Sequence, residues 1–367
     1  MATTTVTRPS ASNQHRGSSD QNPLVTSALS VIVAPRFRHD PNWPWITCIK
    51  PMDQWSFDRI YIDNVYERFP KATRIYRRWQ YARAAKQIRR FDLAFLFSTD
   101  IGIGVTNRLR RSTPRPHLLY VGFTQDGPWP GQRIRKVAKA LQRCDVVTIF
   151  TEEERRVYLE RYGLAPEQAV VVPIHTDEAD GYRQYPDESP HEAPYVVALG
   201  SPNRRFTPTA RICNELGVPL VIITRPWHTN DSLDQLRSRG AKIVTDANKL
   251  EALTYLKHAR LAVMPFDDPV IAGGYTTIMH AMFLRTPIVS TRCLGVPEHI
   301  IDGETGFVTP HSDDESLKGA IDRLWSEPGL AQRLGEAAKA RAQTRHSLKA
   351  AARNFAQLTQ KLLQVWP

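Results

Sequence analysis

Short β-branched runs recur along the chain with helix-compatible sequence between them. They are LSVIVAP from Leu29, DLAFLFS from Asp92, HLLYVGF from His117, DVVTIFT from Asp145 and AVVVPI from Ala169, then YVVALG from Tyr195, PLVIIT from Pro219, AKIVTD from Ala241, RLAVMPF from Arg260 and PIVST from Pro287. A strand with one wet face alternates apolar and polar residues; these runs barely alternate, which predicts strands buried on both faces. Only helices on both sides of a parallel sheet provide that burial, so the chain is expected to be doubly wound α/β.

At 367 residues the chain is too long for a single ordinary core. The acidic, proline-containing stretch HTDEADGYRQYPDESPHEAP, starting at His175, has no apolar periodicity and splits the strand–helix units into two sets of about five. The predicted organisation is a disordered leader over 1–27, a first domain over 28–178, a linker over 179–194, a second domain over 195–345 and a terminal helix over 346–367. That last segment places Leu348, Ala351, Ala352, Phe355, Leu358, Leu362 and Val365 at helical spacing and could pack on either domain. Open parallel sheets bind ligands beyond the carboxyl ends of their strands, which puts the expected site in the cleft between the domains.

The polar leader has no apolar core of the kind a secretory signal needs, and no run approaches the roughly 18 apolar residues of a membrane helix. A soluble, cytoplasmic chain is expected. Cys48, Cys144, Cys213 and Cys293 are widely separated, so neither a disulfide framework nor a zinc site is indicated and the thiols should be reduced and mostly buried. A net charge of +12 attracts nucleic acid, anionic lipid and phosphorylated small molecules alike. No nucleic-acid-binding motif accompanies it, and no nucleic-acid partner is expected.

The segment VIAGGYTTIMHAMFLRTPIVST, Val270 to Thr291, follows one predicted strand and ends in another. Gly273 and Gly274 remove the Cβ atoms that keep a phosphate from the backbone, and a helix beginning at Thr276 offers unpaired N–H groups at its positive end. Tyr275, Thr276 and Thr277 join the glycines as candidate phosphate contacts, the threonines through hydroxyl hydrogen bonds. The same residues would equally suit a plain glycine turn with a threonine cap.

Downstream, Ala281-Met282, Pro287-Ile288-Val289, Gly295-Val296-Pro297-Glu298 and Asp302-Gly303-Glu304-Thr305-Gly306-Phe307-Val308 fall in register with the end of the second domain of GT-B glycosyltransferases, which this segment closely resembles, especially the large retaining family 4. The resemblance runs from about Leu29 to the end of the chain and is weak before Cys144. It implies a GT-B fold, two Rossmann-like doubly wound domains facing a central cleft, and transfer of a sugar from a nucleotide diphosphate donor, a UDP-sugar, to a glycan or lipid-linked acceptor. It also implies that Gly200, Ser201, Arg204 and Arg205, at the glycine turn after the second domain's first strand, meet the donor diphosphate, an arginine fork matching phosphate better than a point charge. No cofactor is implied beyond the nucleotide sugar as substrate, and no obligatory metal; Asp267-Asp268 has the look of a metal-binding pair but is not needed for one.

Family 4 usually carries two glutamates eight residues apart, where this chain has Ala272 and His280. Gly274-Tyr275-Thr276-Thr277 fits instead the G-x-T-T turn of other GT-B families. Retention remains favoured over inversion, and His280 could serve the donor as a catalytic contact or be a core histidine. A nucleotide-sugar epimerase of the same fold and a non-catalytic binding protein are the alternatives.

On the acceptor side, an inverting transfer needs a base. Asp126, in VGFTQDGPWPG, is the first candidate and Asp100 the second, with Trp129 offering a flat surface to a sugar ring. The segment from Lys71 to Arg90 carries eight basic residues and no acidic one. With Arg74, Arg77, Arg78 and Trp79 on one helix it is expected to meet an anionic membrane surface, peripherally and from the cytoplasmic side. The tryptophan-rich HDPNWPWITCIKPMDQW, 39–55, could form the acceptor mouth.

Overall fold

The computed structural model describes residues 29–35, 56–62, 70–97, 99–109, 116–125, 129–176, 185–200, 203–226, 229 and 231–364. The leader, the 39–55 segment, Asp126 and Ser201 lie outside these residues, as does the linker before residue 185.

The first domain runs β1 (Leu29–Pro35), β2 (Ser56–Ile62), α1 (Pro70–Gln87), β3 (Leu93–Phe97), α2 (Thr99–Thr106), β4 (His117–Phe123), α3 (Gly131–Leu141), β5 (Val146–Ile149), α4 (Glu152–Tyr162) and β6 (Ala169–Val171). The second runs β7 (Val196–Leu199), α5 (Thr207–Leu216), β8 (Leu220–Ile223), α6 (Leu233–Ser238), β9 (Lys242–Val244), α7 (Lys249–His258), β10 (Leu261–Met264), α8 (Tyr275–Leu284), β11 (Ile288–Thr291), α9 (Val296–His299) and β12 (Phe307–Thr309), followed by α10 (Asp314–Ser326), α11 (Pro328–Arg345) and α12 (Leu348–Gln364).

Among the described residues each domain holds one six-stranded sheet, ordered β2-β1-β3-β4-β5-β6 and β12-β11-β10-β7-β8-β9, and every pairing between these strands is parallel. The strand β3 is buried along its whole length, as are β5, β7, β8, β10 and β11, the condition its unalternating sequence predicts. Six strands per sheet exceed the expected five. The missing ones were β2, whose SFDRIYI mixes charge into the run, and β12, only three residues long.

In the second sheet the chain winds outward through β8 and β9, returns, and places β10 on the other side of β7. The order therefore reverses between β7 and β10, the kind of position at which open parallel sheets bind ligands beyond their strand ends. The terminal helix α12 settles on the first domain, not the second: Phe355, Leu358 and Leu362 pack with Leu93, Phe95, Leu119 and Val121 of β3 and β4. A second apolar cluster crosses between the domains, with Phe150 edge-on to Tyr275 at 6.0 Å. The described thiols, Cys144, Cys213 and Cys293, are free and buried.

Candidate active site

The loops leaving β7 and β10 are knitted together at the reversal point. Asn203 accepts from the Asp268 N–H at 2.7 Å through Oδ1, and its Nδ2 donates to the carbonyls of Asp268 (3.1 Å) and Ile271 (3.4 Å). Arg204 bridges Phe266 through the backbone, and Arg205 N–H donates to the Pro265 carbonyl at 3.0 Å. Holding both loops leaves the Arg204 side chain one place to go: 4% exposed, its guanidinium stacks 4.0 Å over the Phe266 ring and lies against the Cα faces of Gly200 and Gly274.

Both glycines are required there. Gly200 has φ +116 and Gly274 φ +71, and a Cβ on Gly274 would collide with Arg204 Nη2 and the Phe266 ring. Burial draws the Arg204 pKa down to about 10, which leaves the cation intact at neutral pH. The two glycine turns singled out in sequence therefore meet at one buried guanidinium. Arg205, its neighbour, is exposed and pairs with Asp267 at 3.7 Å.

Gly274 caps α8, and no side chain bonds the helix's first N–H groups. Thr276 is exposed and Thr277 half-buried on that turn, and a Cβ on Gly273 would meet nothing within 4 Å, so its Cα face is open. The arrangement offers backbone donors, two hydroxyls and a fixed cation to an anion. Tyr275 requires a correction as a donor contact: its side chain turns away from the loops and is 4% exposed. The hydroxyl donates to the Leu294 carbonyl at 2.6 Å, and the ring sits 4.5 Å from that of His299. His280 is buried in the middle of α8.

The start of α4 forms a seam with α9 and the loop before it that the sequence did not reveal. Glu298 accepts from the backbone N–H of Glu153 at 2.7 Å and of Glu152 at 3.1 Å. Glu153 answers by accepting from the Gly295 N–H at 2.7 Å and from Arg292 at 2.8 Å. Beneath them the Glu154 carboxylate is buried and accepts from Thr124 (3.0 Å), Thr151 (3.0 Å) and Tyr158 (3.2 Å). Burial pushes its pKa up to about 7, with those hydroxyls offsetting part of the rise. Burial and the Glu154 charge hold the Tyr158 and Tyr275 phenols well above the ordinary range. Behind the seam His299 and His346 lie 5.2 Å apart, and burial holds both neutral, His346 down to about 4.

On the first domain, Trp129 is half-buried, edge-on to Phe123 at 6.3 Å, with the Arg133 guanidinium 4.6 Å over its ring. Asp100 is exposed and pairs with Arg133 at 3.4 Å. The helix α1 buries Gln80, Ala84 and Ala85, with Ile88 buried in the 3-10 turn after it, and turns Ile75 (70% exposed), Tyr76 and Trp79 (53%) outward. Tyr76 stacks on Trp79 at 5.8 Å, and Arg83 lies 5.4 Å over the Trp79 ring. Arg78 is exposed and Arg77 half-buried, with Arg74 one turn earlier on the same helix. Among the described residues no three His, Cys, Asp or Glu side chains are grouped to hold a metal ion.

Residues 206–327 match the family model described as Glycosyl transferases group 1. An alpha-D-kanosaminyltransferase of Streptomyces kanamyceticus is 35% identical over 74 residues, which span 20% of this chain and 19% of that protein. The architecture extends much further. A sucrose-phosphate synthase from Thermosynechococcus elongatus superposes with a TM-score of 0.71 at 17% identity, over 92% of this chain and all of that one. Anabaena HepE, solved in complex with UDP-glucose, gives 0.70 at 13% identity over 91% of this chain and 100% of its own. The shared two-sheet frame is the GT-B fold, and the likeness in sequence to the group 1 glycosyl transferases spans residues 206–327 of its second domain.

Proposed function

We propose that the protein transfers a sugar from a UDP-sugar to a hydroxyl of a glycan or lipid-linked acceptor. The observation that carries this is the convergence of both glycine turns on the buried Arg204, beside the start of α8, where no side chain bonds the first N–H groups. Negative charge develops on a diphosphate as the bond from its oxygen to the sugar's anomeric carbon breaks. A fixed cation and backbone N–H groups placed beforehand stabilise that charge without reorganising. Thr276 and Thr277 add hydroxyls, and the cleft between the domains limits the water that would otherwise hydrolyse the donor. The acceptor oxygen forms the new bond to the anomeric carbon as the diphosphate leaves; in a retaining transfer its proton goes to the departing diphosphate oxygen, and in an inverting one to a base, for which Asp126 is the proposed group. His280 is proposed to contact the donor from α8. Retention is favoured on the resemblance of the 281–308 segment to the retaining family 4, and the anomeric configuration of the product by NMR decides it.

The donor assignment is tested by thermal unfolding with UDP and with UDP-glucose. A ligand at 100 times its Kd stabilises by about 2.7 kcal/mol, so a clear rise in Tm is expected; no rise with any nucleotide or nucleotide sugar would overturn it. Incubation with donor alone separates the epimerase alternative, which would yield an isomerised sugar nucleotide. The outward face of α1 favours a lipid-linked acceptor within this proposal: Ile75, Tyr76 and Trp79 among Arg78, Arg83 and Lys86 suit the cytoplasmic surface of an anionic membrane.

A further inference from the structure

A cavity of roughly 360 Å³ lies where α11 gives way to α12, lined by Pro173, Arg341, Thr344, Arg345, Arg353 and Asn354. Among the described residues three guanidiniums line it and no carboxylate does. Arg341 spends its donors on neutral acceptors, the carbonyls of Glu298 (2.7 Å) and His299 (3.2 Å). Arg353 donates to the Lys349 carbonyl at 3.4 Å, and neither residue makes an ion pair among the described residues. The Arg345 Nε is buried and has no hydrogen-bond partner among them. The carboxylate nearest to Arg345, that of Glu298 at 3.7 Å, already receives two backbone N–H groups of α4. Like charges this close repel, and the Arg341 pKa is lowered by burial and then by Arg345.

We propose that this cavity is an anion site, separate from the donor crevice, that takes a small phosphate-bearing molecule. Guanidinium forks match phosphate oxygens, Thr344 and Asn354 supply polar groups at the wall, and the volume holds a phosphate with a small organic group attached. Because Arg345 also faces Glu298, the site is joined through one guanidinium to the contact between the two domains.

The test is calorimetric titration of inorganic pyrophosphate into the full chain held in saturating UDP, at constant ionic strength. One site is expected. It should weaken at least tenfold in R345Q/R353Q, recover most of its affinity in R353K relative to R353Q, and stay unchanged in R204Q, whose side chain belongs to the donor crevice. Short-chain phosphatidic acid in place of pyrophosphate distinguishes a lipid phosphate from a soluble one, a preference for either assigning the source. Absence of binding to the wild type, or binding lost in R204Q and kept in R345Q/R353Q, overturns the site. The site rests on the donor reading only for its contrast with Arg204, and thermal unfolding with UDP tests that reading separately, so either can fail alone.

Discussion

Glu298 caps the first turn of α4 from across the domain boundary, both its oxygens engaged by the N–H groups of Glu153 and Glu152. Cap residues normally lie just before their helix; this one is 145 residues away from Glu153 in sequence. A carboxylate at the positive end of a helix stabilises it, and a charged hydrogen bond is worth about 1.5–3 kcal/mol. Glu298→Ala is expected to cost about 2–4 kcal/mol on that basis, and Glu298→Gln roughly half as much. Chemical denaturation followed by tryptophan fluorescence checks this, and unchanged midpoints in both variants would rule out the seam as a source of stability.

The buried carboxylate of Glu154 carries a definite pH signature. Its pKa rises from an ordinary 4.5 to about 7 in the folded chain, so between those values the folded state binds more protons than the unfolded one. Stability from this group is therefore lost as pH rises through that window, by about 3 kcal/mol at roughly 1.4 kcal/mol per unit. His175, His299 and His346 have depressed pKa values and act in the opposite sense, losing stability as pH falls below their ordinary 6.5. The total profile mixes the two, so the informative quantity is the difference between the wild type and Glu154→Gln. That difference should grow in favour of the variant from pH 5 to pH 8. A difference independent of pH would show that Glu154 titrates as an ordinary surface carboxylate.

Much of the frame was legible because burial on both faces leaves a direct trace in sequence: β3, β7 and β10 are apolar throughout. The strand β2 was not, since Asp58 and Arg59 interrupt its run. At the site, glycines mark backbone that must lie close to something, and both turns came together. Sequence could not separate Arg204 from Arg205, adjacent and alike, because only the crossing of two loops decides which one is enclosed. Tyr275 lies next to the glycines in sequence, yet the helical turn directs its ring into the seam. The seam itself was hidden: Gly295-Val296-Pro297-Glu298 stood out as a motif, but its partner Glu153 belongs to the other domain and to no motif.

The neighbouring glycines at the start of α8 should separate folding from binding. Gly274→Ala puts a Cβ into Arg204 and Phe266 at a left-handed φ, and strain of this kind costs about 1–3 kcal/mol, so both stability and UDP affinity should fall. In Gly273→Ala the added methyl meets nothing within 4 Å. Its unfolding midpoint should stay within about 0.5 kcal/mol of the wild type, while UDP affinity drops tenfold or more because the methyl occupies the approach to the backbone. Full UDP affinity in Gly273→Ala would move the diphosphate away from this turn.

The outward face of α1 predicts a variant that folds normally and loses a surface. Ile75 and Trp79 are 70% and 53% exposed and belong to no core cluster among the described residues, so Ile75→Ser/Trp79→Ser should leave Tm unchanged. Against an anionic bilayer each nearby Lys or Arg is worth about 1 kcal/mol, and the apolar area about 25 cal/mol per Å². Charge should therefore draw α1 to the surface, while the rings should hold it there. Cosedimentation with phosphatidylglycerol vesicles should fall several-fold in the double serine variant. It should fall further in Arg78→Gln/Arg83→Gln/Lys86→Gln, and high salt should weaken the wild type more than it weakens the glutamine variant. Equal pelleting of all three proteins would leave α1 as a solvated face and remove the support it gives to a lipid-linked acceptor.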